Sequence, residues 1–217
     1  MKFLTTAALA LCLGLVGCSS TDKKATTAPV SLKKPKPDIA WMDSYEARLK
    51  EALAGSNLEV TRRESTIVVI APVEGAFHPA RPSMLLPVTL GPLTKIAKLV
   101  EGDPKTVVVV LGHADSSGPE ARNRELSRER AGSVASIFRL TGLRGNRLMV
   151  RGVGSDMPRA ANDTVEGRTL NRRVEMVLAP QATMQVLLAR LGPPEGVKAA
   201  APARNVAAVE LPKGKKK

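Results

Sequence analysis

From Trp41 to Ala54, the residues Met42, Tyr45, Leu49 and Leu53 recur at helical spacing, which predicts a short amphipathic helix. Beyond it the apolar period drops to two. Leu58–Arg63 and Thr66–Ala71 are β-rich runs around Glu64-Ser65, the pattern of a hairpin. Between Met84 and Val100 a helical period returns at Leu85, Leu86, Leu93, Ile96, Ala97 and Val100. Pro92 suits a first turn, so the helix is expected from there onward. Thr106–Leu111 (TVVVVL) is apolar throughout, as in a central strand covered on both faces. Arg147–Gly152 is a further strand. Arg173–Leu178 alternates Val174, Met176 and Leu178 with Glu175 and Val177, which predicts one less buried face. Gln181–Leu191 predicts one more helix, stopped by Gly192-Pro193-Pro194. The fold class is α/β (α+β), with helices and strands interleaved along one body.

The longest helical pattern lies between the central strand and Arg147. It opens with Ser117-Gly118-Pro119-Glu120, a Ser-x-x-Glu capping-box sequence, and ends at Thr141-Gly142, with Gly as the C′ residue. Ala131, Val134, Ile137 and Phe138 form its apolar stripe, and Asn123 and Arg130 fall on that same stripe. A charge turned inward needs a partner. Both residues sit beside Gly112-His113-Ala114-Asp115, where the chain leaves the central strand. Ligands of open α/β sheets bind at such carboxyl ends. Asp115, Asn123 and Arg130 are therefore the candidate constellation. Two readings of it stand: a ligand crevice, or an internal Asp115–Arg130 salt bridge.

The two ends of the chain differ from this body. Met1-Lys2, the apolar run Phe3–Val16 and Leu15-Val16-Gly17-Cys18 have the layout of a secretory signal. The last four residues resemble the bacterial lipobox, in which the Cys is acylated. Removal of residues 1–17 leaves Cys18 as the single thiol, and acylation accounts for it. More than one acyl chain gives a stable anchor. Ser19 and Ser20 resemble an outer-membrane address. The segment 18–40, with Lys33-Lys34-Pro35-Lys36-Pro37, reads as a semi-extended tether of up to roughly 70 Å. The expected organisation is then a helix over 41–56, a body over 57–180, and a short helix with a basic Ala/Pro/Lys tail over 181–217. Lys and Arg outnumber Asp and Glu by 33 to 20, for a formal charge of +13. That surplus suits a carboxylate-rich partner.

Four motifs carry a family resemblance. They are Gly112-His113-Ala114-Asp115, Asn123-x-x-Leu126-Ser127-x-x-Arg130-Ala131, Gly152-x-Gly154-x-x-x-Pro158, and Gly167-Arg168-x-x-Asn171-Arg172-Arg173-Val174-Glu175. In order and spacing, from Phe77 to Leu178, they resemble the OmpA-like peptidoglycan-binding domain, which includes the Pal lipoproteins and MotB-type stators. The resemblance implies a mixed β-sheet with helices packed on one side around a βαβ core. It also implies that Asp115 and Arg130 bind the diaminopimelate of a peptidoglycan stem peptide, with Asn123, Leu126 and Asn171 in the site. Diaminopimelate carries an ammonium and a carboxylate on one stereocentre. Asp115 suits the first, and a guanidinium fork suits the second bidentately. Two positions depart from the family pattern: Ala114 stands where Thr is usual, and the loop His78–Pro82 lacks the usual Asp or Asn.

The implied function is a non-catalytic, lipid-anchored outer-membrane protein facing the periplasm and tethering that membrane to peptidoglycan. The alternative is a periplasmic regulator whose wall binding positions it against an inner-membrane protein partner, through the helix near Trp41 and the loop around His78–Pro87. No cofactor or metal is expected. Two His and two Cys are too few for a typical structural zinc site, and 2% aromatics argue against a base-stacking nucleic-acid surface. His113 and Asp115 near Ser116 and Ser117 lack a separate base-orienting group, so no hydrolase triad is expected.

Overall fold

The computed structural model describes residues 36–191; the signal segment, Cys18, most of the tether and the basic tail lie outside the described residues. In chain order the elements are α1 (Ile39–Ala52), β1 (Glu59–Arg63), β2 (Thr66–Pro72), β3 (Phe77–His78), β4 (Arg81–Leu85), α2 (Pro87–Glu101), β5 (Thr106–Gly112), α3 (Glu120–Leu140), a single 3₁₀ turn (Gly145–Arg147), β6 (Leu148–Gly152), α4 (Val165–Asn171), β7 (Arg173–Pro180) and α5 (Gln181–Leu191). The main sheet is mixed, in the order β1-β2-β7-β5-β6. Among the described strands only β5 and β6 run parallel, joined through α3 as a βαβ unit. β3 and β4 form a separate two-stranded ribbon.

Both faces of the central strand β5 are buried. On one face, Ile67, Val69, Val108, Val110, Val174, Met176 and Leu178 meet Leu93 and Ile96 of α2 and Val134 and Phe138 of α3. Each such large side chain contributes on the order of 1.5–3 kcal/mol on burial. On the other face Val107, Val109 and Leu111 pack with Met184 of α5. The helix predicted at Gln181–Leu191 therefore forms and covers part of that second face.

The helix predicted near Trp41 is α1, and it is part of the same core. Tyr45, Leu49 and Leu53 join the main cluster, and Trp41 Nε1 donates to Thr106 Oγ1 at 2.9 Å. The Tyr45 hydroxyl donates to Asp103 Oδ2 at 2.8 Å, and its burial pushes its pKa up to about 12. The apolar face of α1 is thus spent inside the molecule.

Three local expectations are corrected. The second helix starts at Pro87, its first-turn proline, five residues before Pro92, and β4 takes up Met84 and Leu85. Pro92 sits inside the helix, and the carbonyl it leaves without a donor belongs to exposed Val88, where water can take it. The capping box at Ser117 does not form either. Gly118 adopts a φ of 87°, Pro119 is the N-cap without a side-chain cap, and the Ser117 amide donates to Asp115 instead. Finally, Glu175 is buried on the face of β7 expected to be less buried, where only Val177 of that pair stays half-buried. By contrast, the expected C′ glycine is present: Gly142 has a φ of 100°, and the Leu143 amide reaches back to Phe138 O at 3.0 Å.

Candidate functional site

At the carboxyl end of β5 the backbone of α3 lies directly on the sheet. A Cβ on Gly112 would stand 1.8 Å from Ser127 O, and one on Gly152 would stand 2.4 Å from the Arg128 amide nitrogen. Glycine at these two motif positions lets α3 close onto β5 and β6, and this contact brings the start of α3 beside Asp115.

Asp115 is 8% exposed and fixed from three directions. Its Oδ1 accepts from the Ser117 amide at 2.9 Å, and its Oδ2 accepts from Arg172 Nη1 at 2.7 Å. Asn123 Nδ2 donates to its backbone carbonyl at 3.0 Å. Burial pushes the carboxyl's pKa up, but Arg172 and Ser117 together more than offset it. The net position is below the usual carboxylate range.

Arg130 is 5% exposed and differently held. Its Nε donates to Pro82 O at 2.8 Å, and its guanidinium carbon lies 5.9 Å from the centre of the Phe77 ring. Among the described residues it makes no ion pair. Burial accordingly pushes its pKa down. The internal Asp115–Arg130 salt bridge considered from the sequence is absent: Asp115 pairs with Arg172 instead. The β3–β4 ribbon packs on α3 beside Arg130, through Phe77, the Pro82 carbonyl and Ser83, whose carbonyl accepts from Ser133 Oγ at 2.6 Å.

Arg172 lies within the last of the family motifs, but the sequence did not mark it as the partner of Asp115. Besides Asp115 it holds Glu74 Oε1, at 2.8 Å through Nε and 2.6 Å through Nη2, and Thr169 Oγ1 at 2.7 Å. Asp115, Glu74, Arg130 and Arg172 make a charge-balanced quartet. The signal was present as the Asn171-Arg172-Arg173 run, but nothing in it says which arginine faces the crevice. Glu74 belongs to no motif and had no signal.

The remaining expected site residues fall into two groups. Asn123 is buried beside Asp115, and Leu126 is half-buried one turn along α3. Asn171 is fully buried, and its amide is spent inside the fold. Its Oδ1 accepts from the amides of Arg159 (2.7 Å) and Ala160 (3.0 Å), while its Nδ2 donates to Ala160 O and Asn162 Oδ1. Asn162 Oδ1 in turn accepts from the Ser116 amide at 3.1 Å. Asn171 therefore positions the loop that backs Asp115. Ala114 is 6% exposed and packed.

Residues 85–172 match the model of the OmpA family. A probable lipoprotein, YiaD of Escherichia coli K12, is 37% identical over 140 residues, 64% of this chain and 64% of that one. The chain thus spans less than two thirds of that relative's length. Among solved structures, a putative MotB-like protein from Desulfovibrio vulgaris matches with a TM-score of 0.58 at 25% identity, covering 65% of this chain and 95% of that one. The cell wall anchor of the type VI secretion system from Pseudomonas aeruginosa matches with a TM-score of 0.51 at 25% identity, over 67% and 99%.

Proposed function

This chain carries an OmpA-like domain, and from that premise we propose that it binds peptidoglycan non-catalytically, taking the diaminopimelate of a stem peptide between Asp115 and Arg130. One observation carries the reading: Arg130 is a buried guanidinium held by a backbone carbonyl and an aromatic face, and among the described residues no carboxylate stands within ion-pair range, Glu74 and Asp115 acting on it only from farther off. A buried cation left so is costly, and a ligand carboxylate relieves it. With Nε spent on Pro82, four of its five N–H groups remain for a bidentate bond. Asp115 accepts from Arg172 and from the amide and hydroxyl of Ser117, and the roughly four lone-pair sites of a carboxylate leave room for an ammonium. The quartet is neutral, so a zwitterion fits it without a change of net charge. Resemblance to the cell wall anchor supports the same reading.

Lipid attachment through Cys18 and outer-membrane residence complete the proposal. They rest on Leu15-Val16-Gly17-Cys18 and Ser19, and the likeness to a probable lipoprotein agrees with them. The protein then tethers the outer membrane to the wall. Pull-down with purified sacculi tests the reading: wild type should sediment, and Asp115→Ala and Arg130→Ala should remain in solution. Sedimentation of both variants at wild-type level overturns it.

A further inference from the structure

On the opposite face of the sheet from the Asp115 crevice, β1, β2 and β7 leave an open cavity of about 570 Å³. Three arginines line it, Arg63, Arg159 and Arg173, together with His113, Glu175 and an apolar wall that includes Met157. Glu175 is 2% exposed and holds two of the guanidiniums. Arg63 reaches it through Nη1 at 2.6 Å and Nη2 at 2.9 Å, and Arg173 through Nε at 2.7 Å. Arg173 spends its other nitrogens on Asn171 O and Met157 O, whereas Arg63 has three of its five N–H groups left by this bonding. Arg159 pairs with Glu59 at the rim, at 3.2 Å. Even with both carboxylates counted, the cluster keeps one positive charge in excess.

His113 is the unexplained member. It is 1% exposed, and among the described residues neither ring nitrogen makes a hydrogen bond of good geometry, although the Met157 carbonyl lies close enough to favour its protonated form. Glu175 Oε2 stands 3.9 Å from Nε2, beyond hydrogen-bonding range. A buried imidazole so poorly bonded is costly unless something else bonds to it. Burial, with the charges of Arg173 and Arg63, holds it neutral at pH 7, so it offers one donor and one acceptor.

We infer that this cavity is a second binding site, for a small carboxylate with a short apolar body. Arg63 and Arg159 supply the charge, His113 supplies a hydrogen bond, and Ile70, Met157 and Pro158 supply the apolar wall. One excess positive charge matches a monoanion, and a planar carboxylate suits a guanidinium edge. The site lies across the sheet from Arg130 and does not depend on wall binding there. Its ligand is either a free short-chain acid or the carboxyl end of a peptide, which share this chemistry.

The chain has only two histidines, so imidazole ¹⁵N spectra of the labelled, untagged protein read the site nearly alone, with His78 as internal control. The probes are acetate, N-acetylalanine and N-acetylalaninamide at constant ionic strength. A saturable shift of the His113 nitrogens is expected with a free carboxylate and none with the amide, while His78 stays still. Saturation by acetate assigns a free acid as the source; saturation by N-acetylalanine alone assigns a peptide end. Arg63→Gln should weaken binding more than tenfold with the backbone amide spectrum preserved, and Arg130→Ala should leave it unchanged. No saturable shift, an equal shift with the amide, or unaltered binding in Arg63→Gln overturns the proposal.

Discussion

The Asp115 carboxylate and the Arg172 guanidinium are joined at 2.7 Å, and Arg172 is pinned in turn by Glu74. This pair fixes the anion of the site without using Arg130, so the two proposed ligand-binding charges are held by different partners. Asp115 is set by a salt bridge and an amide, and Arg130 by a carbonyl and a ring. A stable fold and an unpaired guanidinium thereby coexist.

It follows that Arg130 should matter to binding far more than to stability. Arg130→Ala removes one carbonyl hydrogen bond and an aromatic contact, a loss of about 1–2 kcal/mol, against which the relief of an unpaired buried charge works. Wall affinity should fall more than tenfold, since a hydrogen bond to a charged group contributes about 1.5–3 kcal/mol. Arg130→Lys should bind nearly as poorly, because a point charge does not reproduce the fork. Thermal melts beside sacculus binding check both halves.

Arg172→Ala should act through Asp115. The variant leaves the carboxylate with the amide and hydroxyl of Ser117, so the Asp115 pKa should rise, as NMR titration of its carboxyl carbon would read. Binding should weaken less than in Asp115→Ala, because the anion stays in place at neutral pH.

His113 makes the fold acid-sensitive in a defined window. Its pKa is pushed down to about 4, chiefly by burial, from an ordinary value near 6.5. The unfolded chain therefore binds a proton that the folded chain refuses. The stabilisation is complete above about pH 6.5 and is lost progressively as pH falls towards 4, by about 3 kcal/mol in all. Melting temperature should drop over that interval in wild type and much less in His113→Gln. Parallel curves for the two proteins would assign the drop to other groups.

Gly112→Ala places a methyl group 1.8 Å from the Ser127 carbonyl oxygen, which belongs to helix backbone and cannot swing aside. A loss of about 3 kcal/mol or more is expected, with α3 displaced from β5. Denaturant unfolding measures it.

Much of the architecture was legible because each core strand or helix carries its own period. TVVVVL announces a doubly covered strand, and the helical spacing of α3 alone turns Asn123 and Arg130 inward. What escaped depends on contacts between distant segments. The sequence does not show that Arg172, rather than Arg130, is the partner of Asp115, since the choice rests on where α4 ends beside β5. Nor does alternation in β7 reveal that Glu175 is buried, because Arg63 and Arg173 neutralise it from two strands. Pro92 misled on the start of α2 because Pro87 already occupied the first turn. Asn171 matched a family site position, yet its four hydrogen bonds all run to the loop it holds.

The most direct measurement is calorimetric titration of the unacylated protein with two purified muropeptides that differ only in their third residue, diaminopimelate or lysine. Lysine lacks the second carboxylate, the group assigned to Arg130. The account predicts binding of the diaminopimelate form at least tenfold tighter in wild type, with the preference erased in Arg130→Ala. Equal affinity for the two muropeptides, in wild type and variant alike, would contradict it and place wall recognition on the basic surface instead.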